Sequence, residues 1–148
     1  MLEIGDNAPN FEVKNQEGKT VKMSDFKGEK LVLFFYPKAS TPGCTAEACN
    51  LRDNYQEFIS KGYAVLGVSA DSEKRQQNFL NKNGLPYDLL ADENKEVIKS
   101  FGVWGPKKFM GREYEGIHRT TFIIDENGVI IDVITKVKTK EHTSQILK

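Results

Sequence analysis

The stretch Leu31–Cys44 reads LVLFFYPKASTPGC, and it decides how the chain folds. Its first six residues, Leu31–Tyr36, are a continuous apolar run rich in β-branched and aromatic side chains, which is typical of a strand buried on both faces. The polar segment 37–43 holds two prolines and a glycine and predicts a loop. A helical pattern then runs from about Cys44 to Lys61. The stretch therefore predicts a strand, a loop and a helix in direct succession.

Strands and helices alternate along most of the remaining chain. Further strands are predicted at 63–69, 87–90, 120–124 and 129–133, and further helices at about 71–83, at 93–101 and from 139 to the end. Residues 11–13 and 20–23 predict a hairpin ahead of the first buried strand. The glycine-rich segment 102–118 is predicted to be a loop.

This order of elements predicts an α/β fold. Strands that alternate with helices favour a central mixed β-sheet flanked by helices, here with an N-terminal hairpin extension. The dipeptide Asn127-Gly128 between two apolar runs is a strong hairpin signal and predicts one antiparallel pair near the end of the chain. No repeat or linker divides the sequence, so we expect a single domain over residues 1–148.

Composition excludes several classes of protein. Apolar residues make up 39% of the 148 residues and charged residues 28%, a balance that excludes a disordered chain or a collagen. Twenty-one basic residues match 21 acidic ones, so charge gives no reason to expect nucleic acid or an anionic membrane as a partner. No apolar run is long enough to cross a bilayer. Residues 1–6 lack the features of an export signal, and we expect a cytoplasmic protein.

The two cysteines lie on different faces of the predicted helix. Cys44 shares its face with apolar residues at helical spacing, namely Ala48, Leu51, Tyr55 and Phe58, whereas the neighbours of Cys49 are polar. Residues five apart on an α-helix have Cα atoms roughly 8–9 Å apart, and a disulfide requires about 4.4–6.8 Å. The pair can therefore form a disulfide only if the helix unwinds.

Position favours a reactive sulfur at Cys44. Unpaired N–H groups and the helix dipole stabilise a thiolate at a helix N-terminus. Pro37 and Pro42 stiffen the loop, Gly43 allows a close backbone approach, and the Thr41 hydroxyl lies three residues away. A buried cysteine is also a common small hydrophobic residue. The residues alone leave both interpretations open.

Other candidate residues give weaker signals. The histidines His118 and His142 do not match a zinc-binding spacing with the cysteines, and each is interpreted as a surface residue. We expect no metal and no other cofactor. Glu47, in the first turn of the helix, is interpreted as offsetting the helix dipole.

The segment around the cysteines resembles the active site of a peroxiredoxin, and more narrowly of the Q-type, or bacterioferritin-comigratory, subfamily. The P-x-x-x-T-x-x-C core is matched at Pro37, Thr41 and Cys44, and the second cysteine of the subfamily at Cys49. The segments 5–11 and 119–125 also fit, so the resemblance covers nearly the whole chain.

The resemblance implies a thioredoxin-like fold and thiol-dependent reduction of hydrogen peroxide and organic hydroperoxides. Cys44 would be the peroxidatic cysteine and Cys49 the resolving one, joined in an intramolecular disulfide that thioredoxin reduces. Thr41 and Arg119 would hold the peroxide, and Pro37 would shield the thiolate. The resemblance further implies a monomer, with a dimer as the alternative. A second function stays open, a non-enzymatic redox-sensing or binding module on the same fold.

Overall fold

A five-stranded mixed sheet forms the centre of the computed structural model, which describes residues 1–148. The strands are β1 (Glu12–Lys14), β2 (Thr20–Lys22), β3 (Lys30–Phe35), β4 (Tyr63–Ser69), β5 (Asp88–Ala91), β6 (Trp104–Phe109), β7 (Arg112–Ile117), β8 (Thr120–Ile124) and β9 (Ile130–Ile134). The helices are α1 (Pro42–Asp53), α2 (Tyr55–Ser60), α3 (Glu73–Asn83), α4 (Glu96–Ser100) and α5 (His142–Ile146), with a short 3-10 helix at Met23–Phe26.

The order of strands in the central sheet is β5-β4-β3-β8-β9. Strands β3, β4 and β5 run parallel, and β8 and β9 are antiparallel to their neighbours. The β1–β2 and β6–β7 pairs form separate two-stranded sheets. The predicted α/β class, the mixed sheet and the N-terminal hairpin are confirmed.

Strand β3 is buried on both faces, as its apolar run predicts. Alternate side chains enter two different hydrophobic clusters: Leu31, Leu33 and Phe35 on one side, and Val32, Phe34 and Tyr36 on the other. The N-terminal hairpin and α4 contribute to the first cluster, and α1, α2, α3 and α5 to the second. The end of β3 thus lies in the middle of the sheet, where the chain turns into α1.

The prediction of a loop over residues 102–118 is wrong. Strands β6 and β7 form a regular antiparallel hairpin with a two-residue turn at Met110-Gly111. Both turn residues have positive φ, 51° and 79°, as such a tight hairpin requires. Most of the hairpin is exposed, so its strands lack the alternating apolar pattern by which a strand is recognised.

The helix predicted from Cys44 to Lys61 is two helices. Helix α1 begins two residues earlier, at Pro42, and ends at Asp53. Asn54 interrupts the helical conformation, because its φ and ψ of −112° and 15° are not helical. The last helix starts at His142 instead of near Thr139. No helix combines the length and the apolar character that would be needed to cross a membrane.

We expect Gly67→Ala to destabilise the fold. A Cβ atom on Gly67, in the middle of β4, would lie 2.7 Å from Leu89 Cδ2, 2.9 Å from Phe34 Cζ and 3.0 Å from Tyr36 Cε1. Overpacking of this kind costs about 1–3 kcal/mol, more than the roughly 0.4–1 kcal/mol that alanine gains by restricting the unfolded chain. Urea unfolding measures the difference, and an unchanged midpoint would show that the sheet has room for a methyl group here.

Candidate active site

A hydrogen bond to a buried carboxylate fixes the loop between β3 and α1. Asp71, which follows β4, accepts hydrogen bonds from the backbone N–H of Ala39 (2.8 Å) and from the hydroxyl of Ser69 (2.6 Å). Ser40, the next loop residue, has a φ of 64°, which is uncommon for a side chain other than glycine. The parallel pairing of β3 with β4 brings Asp71 under the loop, and the loop is therefore fixed by the sheet itself.

Cys44 is the third residue of α1, in its first turn. Thr41 is the N-cap residue and Pro42 occupies the first helical position, where the missing N–H costs nothing. The Cys44 side chain is 1% exposed and is a free thiol. The sulfur thus lies where the first N–H groups of a helix have no backbone partner.

Arg119 contacts the sulfur directly. Its Nη2 lies 3.2 Å from Cys44 Sγ, and its Nη1 donates a 2.6 Å hydrogen bond to Glu47 Oε1. A Cβ on Gly43 would lie 3.2 Å from Arg119 Nη2, so the glycine makes room for the guanidinium. The structure therefore brings together two of the predicted site residues that are 75 positions apart in the chain.

This contact places a cation beside the sulfur. Partial burial by itself would lower the pKa of Arg119, but the neighbouring Cys44 and Glu47 raise that pKa above its ordinary value. The guanidinium is therefore a permanent cation beside the sulfur, and an N–H donated by a cation stabilises a thiolate more than a thiol. If the sulfur attacks one oxygen of a bound molecule, the same N–H groups can stabilise the negative charge that develops on the departing oxygen.

Glu47 is a buried member of the site. Its side chain is 0% exposed, and burial raises the pKa of the carboxyl group from 4.5 to about 7, although the Arg119 charge opposes the shift. The interpretation of Glu47 as a first-turn residue that offsets the helix dipole is wrong, because α1 begins at Pro42 and has no acidic residue in its first turn. Its position three residues after Cys44 was the available signal, because residues three apart share a helix face.

Cys49 points away from Cys44, as the periodicity of the helix predicts. It is half-buried, and its thiol donates a 3.7 Å hydrogen bond to Asn83 Oδ1 at the end of α3. Arg52 lies one turn further along α1 and donates to the Asn83 carbonyl oxygen at 2.6 Å. Both cysteines are reduced, and α1 is intact between them.

Thr41 and Pro37 lie at opposite ends of the loop. The Thr41 hydroxyl donates to the Lys38 carbonyl oxygen at 2.7 Å, so its proton is already used within the loop while its lone pairs stay available. Pro37 is half-buried and directly follows Tyr36, whose hydroxyl donates to Gln76 Oε1.

The interpretation of His142 as a surface residue is wrong. Its ring is 0% exposed and lies between α1 and the sheet, with Nε2 2.7 Å from Thr121 Oγ1 and 3.4 Å from Glu47 Oε2. No local pattern signalled this position, because α5 has only five residues and shows little periodicity. His118 is only partly buried. No group of three or more His, Cys, Asp or Glu side chains is arranged to hold a metal ion.

Comparison with known proteins agrees with this geometry. Residues 4–133 match the AhpC/TSA family. The chain is 49% identical to a putative peroxiredoxin bcp of Haemophilus influenzae over 146 residues, which are 99% of this chain and 94% of the relative. It is 46% identical to peroxiredoxin Bcp of Bacillus subtilis, again over 99% of this chain and 94% of the relative.

Solved structures give the same result for the fold. A mutant of Xylella fastidiosa PrxQ has a TM-score of 0.93 at 30% identity and covers 99% of this chain and 94% of its own. A bacterioferritin comigratory protein of Xanthomonas campestris, described in terms of its alkyl peroxide reduction activity, has a TM-score of 0.87 at 33% identity and covers 93% of this chain and 87% of its own. The chain therefore belongs to the AhpC/TSA family and, within it, to the Q-type or Bcp peroxiredoxins, peroxidases that take a peroxide as substrate and a thiol as reductant.

Proposed function

We propose that Cys44 is the peroxidatic nucleophile of this peroxidase. The thiolate attacks one peroxide oxygen, the S–O bond forms as the O–O bond breaks, and the sulfur is oxidised to a sulfenic acid. The other oxygen leaves as alkoxide or hydroxide and takes up a proton. The 3.2 Å contact between Arg119 Nη2 and Cys44 Sγ is the single observation that carries this assignment, because one cation can stabilise both the nucleophile and the leaving oxygen.

Thr41 and Pro37 serve the same step in this proposal. The Thr41 hydroxyl donates a hydrogen bond to the Lys38 carbonyl oxygen, which leaves its own lone pairs able to accept the O–H of a hydroperoxide. Pro37 at the start of the loop would keep water from the thiolate, since proline presents no N–H and little polar surface. Arg119 then holds the second peroxide oxygen.

Cys49 is the resolving cysteine in this proposal. The first part of α1 unwinds, Cys49 sulfur attacks the sulfenic sulfur of Cys44, and the oxygen leaves as water with the proton of the Cys49 thiol. Two observations support a step that needs unwinding: both thiols are free, and they lie on different faces of one helix. The Cα separation of roughly 8–9 Å expected on an intact helix is too long for a disulfide.

A dithiol protein such as thioredoxin would attack the Cys44–Cys49 disulfide and restore both thiols. Unwinding of α1 would expose this disulfide, which makes it accessible to a protein reductant. We further propose that the enzyme works in the cytoplasm, where such reductants keep thiols reduced. A monomer suffices, because one chain supplies Cys44, Cys49 and Arg119.

Organic hydroperoxides are proposed as substrates alongside hydrogen peroxide. The Xanthomonas campestris relative is described by its alkyl peroxide reduction activity. The chemistry at Cys44 requires only the O–O bond, so an alkyl group on the leaving oxygen changes binding and not the mechanism.

We expect Cys49→Ser to separate the two halves of the cycle. The variant should consume one equivalent of peroxide at close to the wild-type rate, because Cys44 and Arg119 are untouched. Turnover with thioredoxin, thioredoxin reductase and NADPH should then fall by at least about tenfold, since no disulfide can form. Mass spectrometry should find a sulfenic acid in the variant and the Cys44–Cys49 disulfide in the wild type.

Wild-type protein that forms no disulfide with peroxide would contradict the resolving role of Cys49. Asn83→Ala is a suitable control, because it removes the hydrogen bond to the Cys49 thiol but leaves both sulfurs in place. Its disulfide should form at least as fast as in the wild type.

A further inference from the structure

One oxygen of Glu47 is buried without a hydrogen-bond partner. Arg119 Nη1 donates to Oε1 at 2.6 Å, but Oε2 accepts no hydrogen bond, and the side chain is 0% exposed. A buried polar atom without a partner costs roughly 1–3 kcal/mol, and more when the group is charged. An ionised Glu47 with one free oxygen is therefore an unfavourable state of this site.

The hydrogen-bond network fixes which nitrogen of His142 carries a proton. Gln145 Oε1 accepts from the backbone N–H of Lys138 at 2.9 Å, and Gln145 Nε2 donates to the Lys136 carbonyl oxygen at 2.9 Å, so the amide has only one possible orientation. The same Oε1 lies 2.8 Å from His142 Nδ1. Because that oxygen can only accept, Nδ1 carries a hydrogen.

A neutral His142 therefore has a lone pair at Nε2. The Thr121 hydroxyl can donate its hydrogen to this lone pair at 2.7 Å, and Glu47 Oε2 lies 3.4 Å from the same nitrogen. If Glu47 were also ionised, Oε2 would lie 3.4 Å from a nitrogen that carries no hydrogen and would have no hydrogen-bond donor. One additional proton, on either atom, makes the electrostatic interaction across this 3.4 Å contact attractive.

We propose that Glu47 and His142 share one proton in the reduced enzyme and that His142 is a positioning residue, which keeps Glu47 from neutralising Arg119. With the proton in place, the Glu47–His142 pair carries no net negative charge. The charge of Arg119 is then available to the Cys44 sulfur, 3.2 Å away. The second part of the proposal, release of the proton when α1 unwinds, rests on the function proposed above.

The charged groups around the pair agree with this assignment. Burial raises the pKa of Glu47 to about 7, and burial, together with the Arg119 charge, lowers the pKa of His142. Tyr87, which donates to the Ala48 carbonyl oxygen at 2.7 Å, is the nearby phenol, and burial raises its pKa, so that it stays neutral. Arg119, which donates to Glu47 Oε1 and contacts Cys44 Sγ, is a cation in direct contact with the pair.

Unwinding of α1 must break the pair. Glu47 lies between the two cysteines on α1, whereas His142 belongs to α5 and is anchored through Gln145 to the C-terminal segment. Exposed in the unwound helix, Glu47 returns to its ordinary pKa of 4.5 and releases the proton to solvent. The pKa of Glu47 is higher when α1 is helical than when it is unwound, so protonation of Glu47 stabilises the helical form. This stabilisation is complete below about pH 4.5 and is lost as the pH rises through about 7.

Nuclear magnetic resonance of the histidine rings tests the shared proton in the reduced protein. The chain has two histidines, so two ring signals are expected. The His142 signal should follow the shared proton, with a midpoint near the Glu47 pKa of about 7, and in Glu47→Gln this midpoint should fall, because burial and the Arg119 charge lower the pKa of His142. The His118 signal should be the same in both proteins. A His142 signal that titrates identically in Glu47→Gln, or not at all in the wild type, would overturn the proposal.

Proton release on oxidation tests the coupling to α1. When the pKa of Glu47 falls from about 7 to 4.5 on unwinding, roughly 0.9 proton per disulfide is released at about pH 6. Glu47→Gln should therefore release roughly 0.9 proton less than the wild type. The control is Glu57→Gln, which changes an exposed glutamate paired with Lys61 and should behave as wild type. Free-thiol counts follow the disulfide in parallel.

The outcomes distinguish the two proposals. If the disulfide forms but the wild type and Glu47→Gln release equal numbers of protons, the coupling is wrong and the proposed peroxidase cycle stands. If no disulfide forms with peroxide, both the cycle and the coupling are wrong, and the ring signals alone decide whether the proton is shared.

Discussion

Cys44→Ser is expected to abolish peroxide turnover. The hydroxyl of serine is not ionised near neutral pH, so the variant has no nucleophile to attack an O–O bond, even though the loop, Arg119 and the helix N-terminus remain. The rate should fall at least about a thousandfold, to that of peroxide and thioredoxin alone. NADPH consumption with thioredoxin and its reductase measures turnover, and direct peroxide assay measures the first step.

Cys49→Ser is the control for this experiment. Both variants replace one sulfur by oxygen, but only Cys44→Ser should lose the first reaction with peroxide. Equal single-turnover rates in the wild type and both variants would contradict a thiol mechanism altogether. A wild-type protein that forms its disulfide once but never consumes NADPH would instead favour the redox-sensing module.

Arg119→Ala is expected to have the second-largest effect. Arg119 joins Cys44 Sγ to Glu47, and its removal takes away the cation beside the sulfur and the donor for the leaving oxygen. Loss of one such electrostatic donor costs about 10²–10³ in rate. The second-order rate constant with hydrogen peroxide should fall by that factor. Arg119→Lys should recover only part of it, because one ammonium group cannot replace two guanidinium contacts.

Stability must be separated from catalysis in this variant. Removing Arg119 also takes away the hydrogen-bond partner of the buried Glu47 carboxyl group, which costs roughly 1–3 kcal/mol, and more to the extent that Glu47 is ionised. The double variant Arg119→Ala/Glu47→Gln avoids the unpaired charge and should regain stability in urea but not peroxide reactivity. Arg112→Ala, at an exposed position on β7, is the matched control and should react as the wild type. Restored reactivity in the double variant would contradict the role proposed for Arg119.

The central fold follows from local patterns in the sequence. The run at 31–36 predicts a strand buried on both faces, and its side chains alternate between two hydrophobic clusters. The Asn127-Gly128 turn predicts the β8–β9 hairpin that the structure contains. The β6–β7 hairpin escaped prediction, because its exposed strands and its Met110-Gly111 turn carry neither of these signals.

The helical periodicity determined the orientation of the two cysteines. It placed Cys44 among apolar residues and Cys49 among polar ones, and the structure has Cys44 buried and Cys49 half-buried against Asn83. It also predicted that a disulfide requires unwinding. These are properties of a single helix, so spacing along the chain was enough.

By itself, then, the sequence determined the central strand, the loop and helix that carry Cys44, and the different faces of the two cysteines, because each depends on residues close together in the chain. Only the tertiary structure decided what surrounds the sulfur. The pairing of Phe35 with Thr120 in the β3–β8 register carries Arg119 to the loop, and the packing of α5 on α1 brings His142 to Glu47. These contacts join residues that are 70 or more positions apart in the chain. They depend on strand order and helix packing, and no local sequence periodicity encodes them.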